Sequence, residues 1–275
     1  MKTIAAGCAL FAVPTLAFSQ SIINSTAFFN PDYEARRPGV GGIVAVQVNN
    51  NLYRPAPAGQ TSGNVTWNHG AGGFAEAGVA VVGGVELAAY TETTGDTLVF
   101  GRELVANGVL ALLQPAIDAV VGANVLSTWS SQATVTGLSI APGQVYEARF
   151  NVTSGTNLPV DLLDSLTFGI TNPEVDGATA GGSQLLDVLG LLTLGTASST
   201  GDYAFQFTSS AALSSLTFSF DASSAVSLGL LGGAEGNQNV LTFSGFEVVP
   251  VPEPSSLALG GMAGVALLIR RKRRS

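Results

Sequence analysis

The chain has very few of the residues that most enzymes use for chemistry. Among its 275 residues there is one cysteine, Cys8, and one histidine, His69. Zinc sites of the usual kind need several cysteine or histidine ligands, so the sequence excludes them. Cys8 lies in the first apolar stretch of the chain. A mature protein that has lost this stretch therefore contains neither a disulfide nor a reactive thiol.

Positive charge is equally scarce in the central part of the chain. Lysine occurs only at Lys2 and Lys272, close to the two ends. Residues 20–250 contain eighteen carboxylates and five arginines, so the net charge of this part is near −13. Binding to nucleic acid or to an anionic lipid surface requires clustered cations. We therefore expect no nucleic-acid partner, and an acidic exported domain fits this composition.

Long hydrophobic runs are confined to the two ends of the chain. At the first end, Lys2 precedes the apolar run Ile4–Phe18, and Ser19 and the alanine two positions before it are small. This pattern predicts a signal peptide over residues 1–19, which leads the chain into the Sec export machinery and is cut by signal peptidase before Gln20. The alternative is a lipidated Cys8, which requires a start codon further upstream because too few residues precede it.

The second apolar run is Leu257–Ile269, which has thirteen uncharged residues and follows Pro252, Glu253 and Pro254. As a helix it is about 20 Å long, shorter than the roughly 30 Å hydrocarbon core of a bilayer. The prolines keep the preceding neck extended. A short single transmembrane helix behind such a neck suits temporary anchoring, and a permanent tail anchor is the alternative. A basic stop, which favours the cytoplasmic side, follows: Arg270, Arg271, Lys272, Arg273 and Arg274.

The order of neck, short apolar helix and basic end resembles the PEP-CTERM sorting signal, over residues 251–275. The resemblance implies that an exosortase in the inner membrane of a Gram-negative bacterium recognises Pro252, Glu253 and Pro254 and cuts nearby. The protein then reaches the cell surface or the extracellular polysaccharide matrix. The nucleophile of that cut belongs to the exosortase.

Between the two ends, residues 20–250 show apolar side chains with a period of two. Tyr203, Phe205 and Phe207 alternate with small or polar residues, and Tyr146–Val152 does the same. Such alternation is typical of antiparallel strands with one buried face. It predicts an all-β domain, an antiparallel two-sheet β-sandwich that is jelly-roll-like and similar in pattern to jelly-roll carbohydrate-binding modules. A bulge at Ser244-Gly245 keeps the apolar residues of the last strand on one face.

One segment of this domain has a different period. Over Arg102–Val121, apolar residues such as Leu112, Leu113 and Ala116 recur at helical spacing. Gly108 weakens a helix and Pro115 bends one. We therefore expect a helical insertion at about residues 102–121, as one kinked helix or two short ones packed on a sheet.

No residue is predicted to be catalytic and none to bind a metal. A serine triad would have to use His69, but no Gly-x-Ser-x-Gly elbow presents a serine. Asp161 and Asp164 lie three residues apart, which a solvated helix face explains, although carboxylates can also pair in space. Calcium needs only oxygen ligands, so a structural calcium ion stays open, and no other cofactor is expected.

Three aromatic side chains are candidates for stacking on sugar rings: Trp67, Trp129 and Tyr53. Packing in the core or at its rim is the alternative for each. The leading interpretation is a non-catalytic surface or matrix protein whose ligand is extracellular polysaccharide. A secreted hydrolase acting on polysaccharide is the first alternative, and a structural, self-associating surface component is the second.

Overall fold

The computed structural model describes residues 20–24, 28–29, 32–37, 47–54, 59–79, 81–154, 163–180, 191–193, 201–224, 228 and 236–252. These residues are almost entirely β-strand, with one α-helix, α1 (Leu110–Val121). The strands are β1 (Tyr33–Ala35), β2 (Gln47–Tyr53), β3 (Gln60–Ser62), β4 (Val65–Val79), β5 (Gly83–Thr94), β6 (Thr97–Gly108), β7 (Ser127–Ile140), β8 (Tyr146–Ser154), β9 (Leu163–Ile170), β10 (Val175–Ala180), β11 (Leu191–Thr193), β12 (Gly201–Ser209), β13 (Leu213–Ser224) and β14 (Gly236–Pro250). The predictions of an all-β domain and of one short helix are therefore confirmed.

The strands belong to one hydrogen-bonded sheet, and the prediction of two separate sheets is wrong. The strand order is β10-β12-β8-β14-β6-β5-β4-β7-β13-β9-β11, with β1 paired to β5 and with β2 and β3 paired to β4. The pairs between these strands are antiparallel. The similarity to a jelly roll is not confirmed.

The long strand β4 joins the two halves of the sheet. Val65–Gly72 pairs with β7, and Phe74–Val79 pairs with β5. The change of partner falls at Gly73, which has a φ of 99°. A Cβ atom at this position would lie 2.1 Å from the carbonyl oxygen of Leu126. Only glycine fits there. Gly73 therefore allows β4 to pair with β7 before this position and with β5 after it, within one continuous sheet.

We expect Gly73→Ala to lower the free energy of unfolding by about 3 kcal/mol, because the new methyl group adds a backbone clash to an unfavourable φ. Chemical denaturation of the mature protein measures this loss. Gly63→Ala is the matched control, since Gly63 also has a positive φ, 58°, but no atom lies within 4 Å of its added Cβ. The control should lose about 1 kcal/mol. Equal losses in the two variants would contradict the role given to the close approach at Gly73.

The core shows that the single sheet folds over on itself. Phe168 in β9 and Phe205 in β12 come from opposite ends of the strand order, and their ring centroids are 4.8 Å apart. Phe28, from the segment before β1, lies between the layers and stacks on Phe246 of β14 at 4.0 Å. Phe28, Phe168 and Phe246 are buried. The buried faces of the strands thus meet in one aromatic core, as the period of two predicts.

The helical insertion begins later than the sequence predicts. Residues from Arg102 to Gly108 continue β6, and α1 begins at Leu110 as one helix that contains Pro115. Gly108 ends the strand with a φ of 141°. Leu113 is buried against the sheet, whereas Leu112 is 57 % exposed. Apolar spacing alone does not separate the end of a buried strand from the start of a helix, which explains the error.

The predicted bulge in the last strand is confirmed. The register between β14 and β8 shifts between Ser244 and Glu247, and Gly245 has a φ of 64°. Phe243 and Phe246 are consequently both buried although they are three residues apart. The bulge keeps the last strand apolar on its inner face right up to its end, where the predicted sorting signal begins.

Candidate functional site

The described chain ends where the predicted sorting motif starts. β14 is a fifteen-residue strand between β6 and β8, so its backbone has partners on both sides. Its pairing with β8 runs to Pro250, opposite Tyr146, and the Val251 N–H donates to the carbonyl of Val145 at 2.8 Å. Pro252 is exposed. The motif thus follows a firmly held central strand with no linker between them.

The side chain of Gln144, which lies just before β8, stabilises the exit, the point at which the chain leaves β14. The amide Nε2 of Gln144 donates to the carbonyl oxygens of Val251 and Val145, at 2.9 Å each. The nitrogens of Pro250 and Pro252 carry no hydrogen, so this stretch of backbone has fewer donors to satisfy. Sequence reasoning did not identify Gln144, because nothing in the sequence indicates that it contacts a segment 107 residues away.

The predicted mature N-terminus lies beside this exit. The Ile22 N–H donates to the Val248 carbonyl at 2.8 Å, and the Val248 N–H donates to the Ile23 carbonyl at 3.0 Å. Ile23 is buried and Gln20 is exposed. Both ends of the folded part of the chain therefore leave it at the same place. Ile22 lies three residues after the predicted signal peptide, and Val248 lies nine residues before the predicted apolar helix.

Several predicted features lie outside the described residues. They are the signal peptide (1–19) with Cys8, the rest of the motif (Glu253 and Pro254), the predicted membrane helix (257–269), the basic stop from Arg270 to Arg274, and Asp161. Within the described ranges, no helix combines the length and hydrophobicity needed to span a membrane.

The two tryptophans proposed for stacking on sugars are in the core, so that prediction is wrong for them. Trp67 is 0 % exposed and Trp129 is 1 % exposed. Each indole N–H is used internally, by the carbonyl of Phe28 at 2.7 Å and by the carbonyl of Gly101 at 2.9 Å. A sugar ring cannot reach either indole face. Tyr53 is half-buried, and its hydroxyl donates to the carbonyl of Ala89.

His69 is a core residue as well. Its ring is fully buried, stacks on Tyr33 at 4.8 Å and hydrogen-bonds Ser131 Oγ at 2.6 Å through Nδ1. Its other nitrogen lies 3.3 Å from Thr93 Oγ1. Burial, with a smaller contribution from the charge of Arg54, lowers the pKa of His69 to about 3. The ring is therefore neutral at ordinary pH, and this serine–histidine pair has no access to substrate.

The structure brings together a cluster of ionisable groups that sequence reasoning missed. Glu76 and Glu86 are direct cross-strand neighbours on β4 and β5, with side chains 6 % and 3 % exposed. The Arg37 guanidinium lies between them, 2.9 Å from one oxygen of each, and covers the ring of Phe74 at 3.3 Å. Burial raises the pKa of Glu86 to about 7, against the opposing effect of Arg37.

Arg36, next to Arg37, forms a second cluster, whose carboxylates are more exposed to solvent. Arg36 contacts Glu103 at 2.6 Å, Glu92 at 2.9 Å and Glu34 at 3.0 Å, and its guanidinium lies 4.1 Å from the centre of the Tyr90 ring. Hydrogen bonds to Glu103 and Glu34 outweigh burial and raise the pKa of Arg36. Two of the five central arginines therefore fasten the segment around β1 to the sheet.

Most of these carboxylates are bound by an arginine. Glu76 and Glu86 are both bound by Arg37 and almost inaccessible to a ligand. The open cleft beside β1 is lined by Asp32, Glu34 and Glu92. Arg36 binds Glu34 and Glu92, and Asp32 Oδ1 accepts from the Gly95 N–H at 3.1 Å. In the part of the chain that the structure describes, no three side chains of the metal-binding types come together to hold an ion.

Comparison with known proteins identifies the end of the chain. No curated protein sequence matches this one. A family model, described as the PEP-CTERM protein-sorting motif, matches residues 250–274. The match begins at Pro250, the last residue of β14, and covers the motif, the apolar run and the basic stop. The chain is therefore a PEP-CTERM protein: it is exported, is processed by an exosortase and reaches the cell surface.

Proposed function

We propose that the mature protein is a non-catalytic, polysaccharide-binding component of the cell surface or extracellular matrix. The observation that carries the proposal is the direct continuation of the central strand β14 into the sorting motif. A cut near that motif releases the whole domain as one folded unit at the surface. The delivered unit is thus the β-sheet domain, and its ligand is the polymer in which it comes to lie.

The positions at which the two ends of the chain leave the domain support this order of export and cleavage. In the precursor, the signal peptide and the apolar tail would both be held by the inner membrane. The pairing of Ile22 and Ile23 with Val248 puts the attachment points of both segments at one end of the domain. The domain can then fold completely while both segments stay in the membrane. No rearrangement is needed when either segment is cut.

A polysaccharide hydrolase is a weaker proposal for this chain. Glycoside hydrolysis needs two accessible carboxyl groups at a fixed separation, one of them a proton donor. Glu86 has a suitable raised pKa, but its side chain is 3 % exposed and bound by Arg37. Glu34, Glu76, Glu92 and Glu103 are also bound by Arg36 or Arg37, and Asp32 accepts a hydrogen bond from the Gly95 N–H. Their charges serve to hold β1 on the sheet.

The proposal is tested with mature protein recovered from the surface of the producing cells. Native electrophoresis is run in gels that contain hydroxyethyl cellulose, dextran, galactomannan or amylose, which are neutral, or carboxymethyl cellulose, which is anionic. We expect at least one neutral polymer to slow the protein and carboxymethyl cellulose to slow it less, because the domain carries a net charge near −13.

The same samples are assayed for new reducing ends. We expect none to form above the level of a heat-denatured sample. Release of reducing ends would make the protein a hydrolase and overturn the non-catalytic proposal. Unchanged mobility in every gel would overturn polysaccharide binding. If that result came with ordered assemblies in electron micrographs, the structural, self-associating interpretation would replace it.

A further inference from the structure

One half of the outer surface of the sheet is built from polar side chains that, apart from Asp221, are uncharged. The outward positions of β4, β7, β13 and β9 align in rows across the strands. One row is Thr66, Thr134 and Thr217; a second is Asn68, Gln132 and Ser219. Two further rows contain Ser130, Asp221 and Thr167, and Thr128, Ser223 and Ser165. We call these twelve residues the hydroxyl face; Thr128 and Gln132 are exposed, Ser219 is buried, and the others are half-buried.

Hydrogen bonds between the rows' members keep this face in order. Thr134 Oγ1 lies 3.0 Å from Thr217 Oγ1, and Ser165 Oγ lies 2.7 Å from Ser223 Oγ. The inward residues of the same strands, Trp67, Trp129 and Phe220 among them, are buried in the aromatic core. The backbone beneath the face is therefore held rigidly, and binding would order few additional groups.

The face also differs in charge from the rest of the domain. Asp221 is the one ionisable residue among the twelve and is half-buried. The exposed Arg54 borders the face, where its guanidinium donates to Asn68 Oδ1 at 3.0 Å and its charge acts on Asp221. The outward positions of β8, β12 and β14, on the other half of the sheet, include Glu147, Arg149, Asp202 and Glu247. A domain with eighteen carboxylates thus keeps one face almost free of them.

We propose that the hydroxyl face is the binding surface for a neutral polysaccharide, an inference that rests on the proposed function and assigns its site. Hydroxyl and amide groups are both donors and acceptors, which matches the hydroxyl groups of a sugar polymer. With strands about 4.8 Å apart and residues about 3.3 Å apart, the face measures roughly 15 Å by 20 Å. This area accommodates several sugar units in an extended chain.

The composition of the face argues against a protein partner and against an acidic polymer. Protein interfaces are centred on tyrosine, tryptophan, phenylalanine or arginine, and none of the twelve residues is of these types. Arg54 and the exposed Leu52 lie only at the border of the face, beside Gly70. The net charge near −13 of residues 20–250 repels a polyanion, and on the face itself the charges of Asp221 and Arg54 are opposite. Each hydroxyl–hydroxyl contact replaces contacts with water and contributes little by itself. Binding must therefore use many sugars at once, so long chains bind and short oligosaccharides do not compete.

The test introduces charge at two exposed positions of the face, as Thr128→Glu with Gln132→Glu. The matched control adds two carboxylates to the opposite half of the sheet, as Thr153→Glu with Ala204→Glu; Ala204 lies opposite Arg149. Dissociation constants come from electrophoresis in gels containing the neutral polysaccharide that slows the wild-type protein. We expect at least about a fivefold increase for the hydroxyl-face variant and no change for the control. Thermal melting followed by circular dichroism checks that both fold.

A second variant keeps the inference testable if the charged variant fails to fold. Thr128→Ala with Gln132→Ala removes polar groups without adding charge and should raise the dissociation constant about threefold. Wild-type binding in both hydroxyl-face variants would overturn this inference and leave the proposed function intact. A wild-type protein that no neutral polymer slows would remove the proposed function itself. Sedimentation showing a dimer that the Thr128→Glu, Gln132→Glu variant abolishes would make the face a contact between copies, which also overturns the inference.

Discussion

Replacing Pro252, Glu253 and Pro254 together by alanine is expected to stop processing, with the full-length tail retained on more than about nine-tenths of the molecules. We expect the exosortase to recognise the short segment between the end of β14 and the apolar run. The two prolines keep that segment out of helix and strand. Alanines would let the apolar helix extend back towards Val251 and would remove the one carboxylate of the neck. Intact-mass spectrometry of membrane and surface fractions measures the retained tail.

The control for this experiment changes Ser255 and Ser256 to alanine, which leaves the motif, the apolar run and the basic stop unchanged. This variant should be processed like the wild-type protein. Equal processing of the triple-alanine variant would show that the motif is not what the exosortase reads. Wild-type protein at the cell surface that still carries Arg270–Ser275 would contradict processing altogether.

Arg37→Met is expected to lower the free energy of unfolding by about 3–5 kcal/mol at pH 7.5, because it leaves two buried carboxylates without their shared cation. Glu76 and Glu86 face each other at the centre of the sheet, and the same guanidinium neutralises both. Methionine keeps much of the volume above the ring of Phe74, so the loss reports on charge more than on packing. Denaturant titration of the mature protein measures it.

The loss should shrink in acid. The pKa of Glu86 is about 7 in the folded state, above the ordinary value of 4.5 for a glutamate. As the pH falls from about 7 towards 4.5, Glu86 is therefore protonated in the folded state before it is protonated in the unfolded chain. In this range the folded state binds more protons than the unfolded chain, so the contribution of Glu86 to stability rises as pH falls. A protonated Glu86 is neutral, so removal of the Arg37 charge destabilises the folded state less. We therefore expect a smaller difference between variant and wild type at pH 5 than at pH 7.5.

Arg149→Met is the matched control for the cluster. Arg149 also lies near two carboxylates, Glu147 and Glu247, but its side chain is 51 % exposed. Surface ion pairs of this kind contribute up to about 1 kcal/mol. A loss in the Arg37 variant no larger than in this control, or one independent of pH, would contradict the role assigned to the buried pair.

The sequence was informative wherever a signal is local. The tail can be identified from its neck, apolar run and basic stop, because a processing enzyme and a membrane act on it as a linear segment. Alternation along Tyr203, Phe205 and Phe207 identified a strand, and the change of parity at Gly245 identified a bulge, since the period of a strand is fixed by its backbone. The helix was found but placed eight residues early, because β6 is apolar on both faces just before it.

What the sequence by itself determined about this protein is its sorting signal, its β-rich class and the scarcity of catalytic residue types. Only the tertiary structure decided that β4 joins the halves of a single sheet, that Trp67 and Trp129 are core residues, and that Arg37 lies between two carboxylates. It also decided which polar residues share the hydroxyl face. Each of these depends on which strands become neighbours, and segments far apart in sequence, such as Arg37 and Glu86, carry no local sign of their pairing. The tail needed no such neighbours: its motif follows the last strand directly in the sequence, and Pro252, its first residue, is exposed.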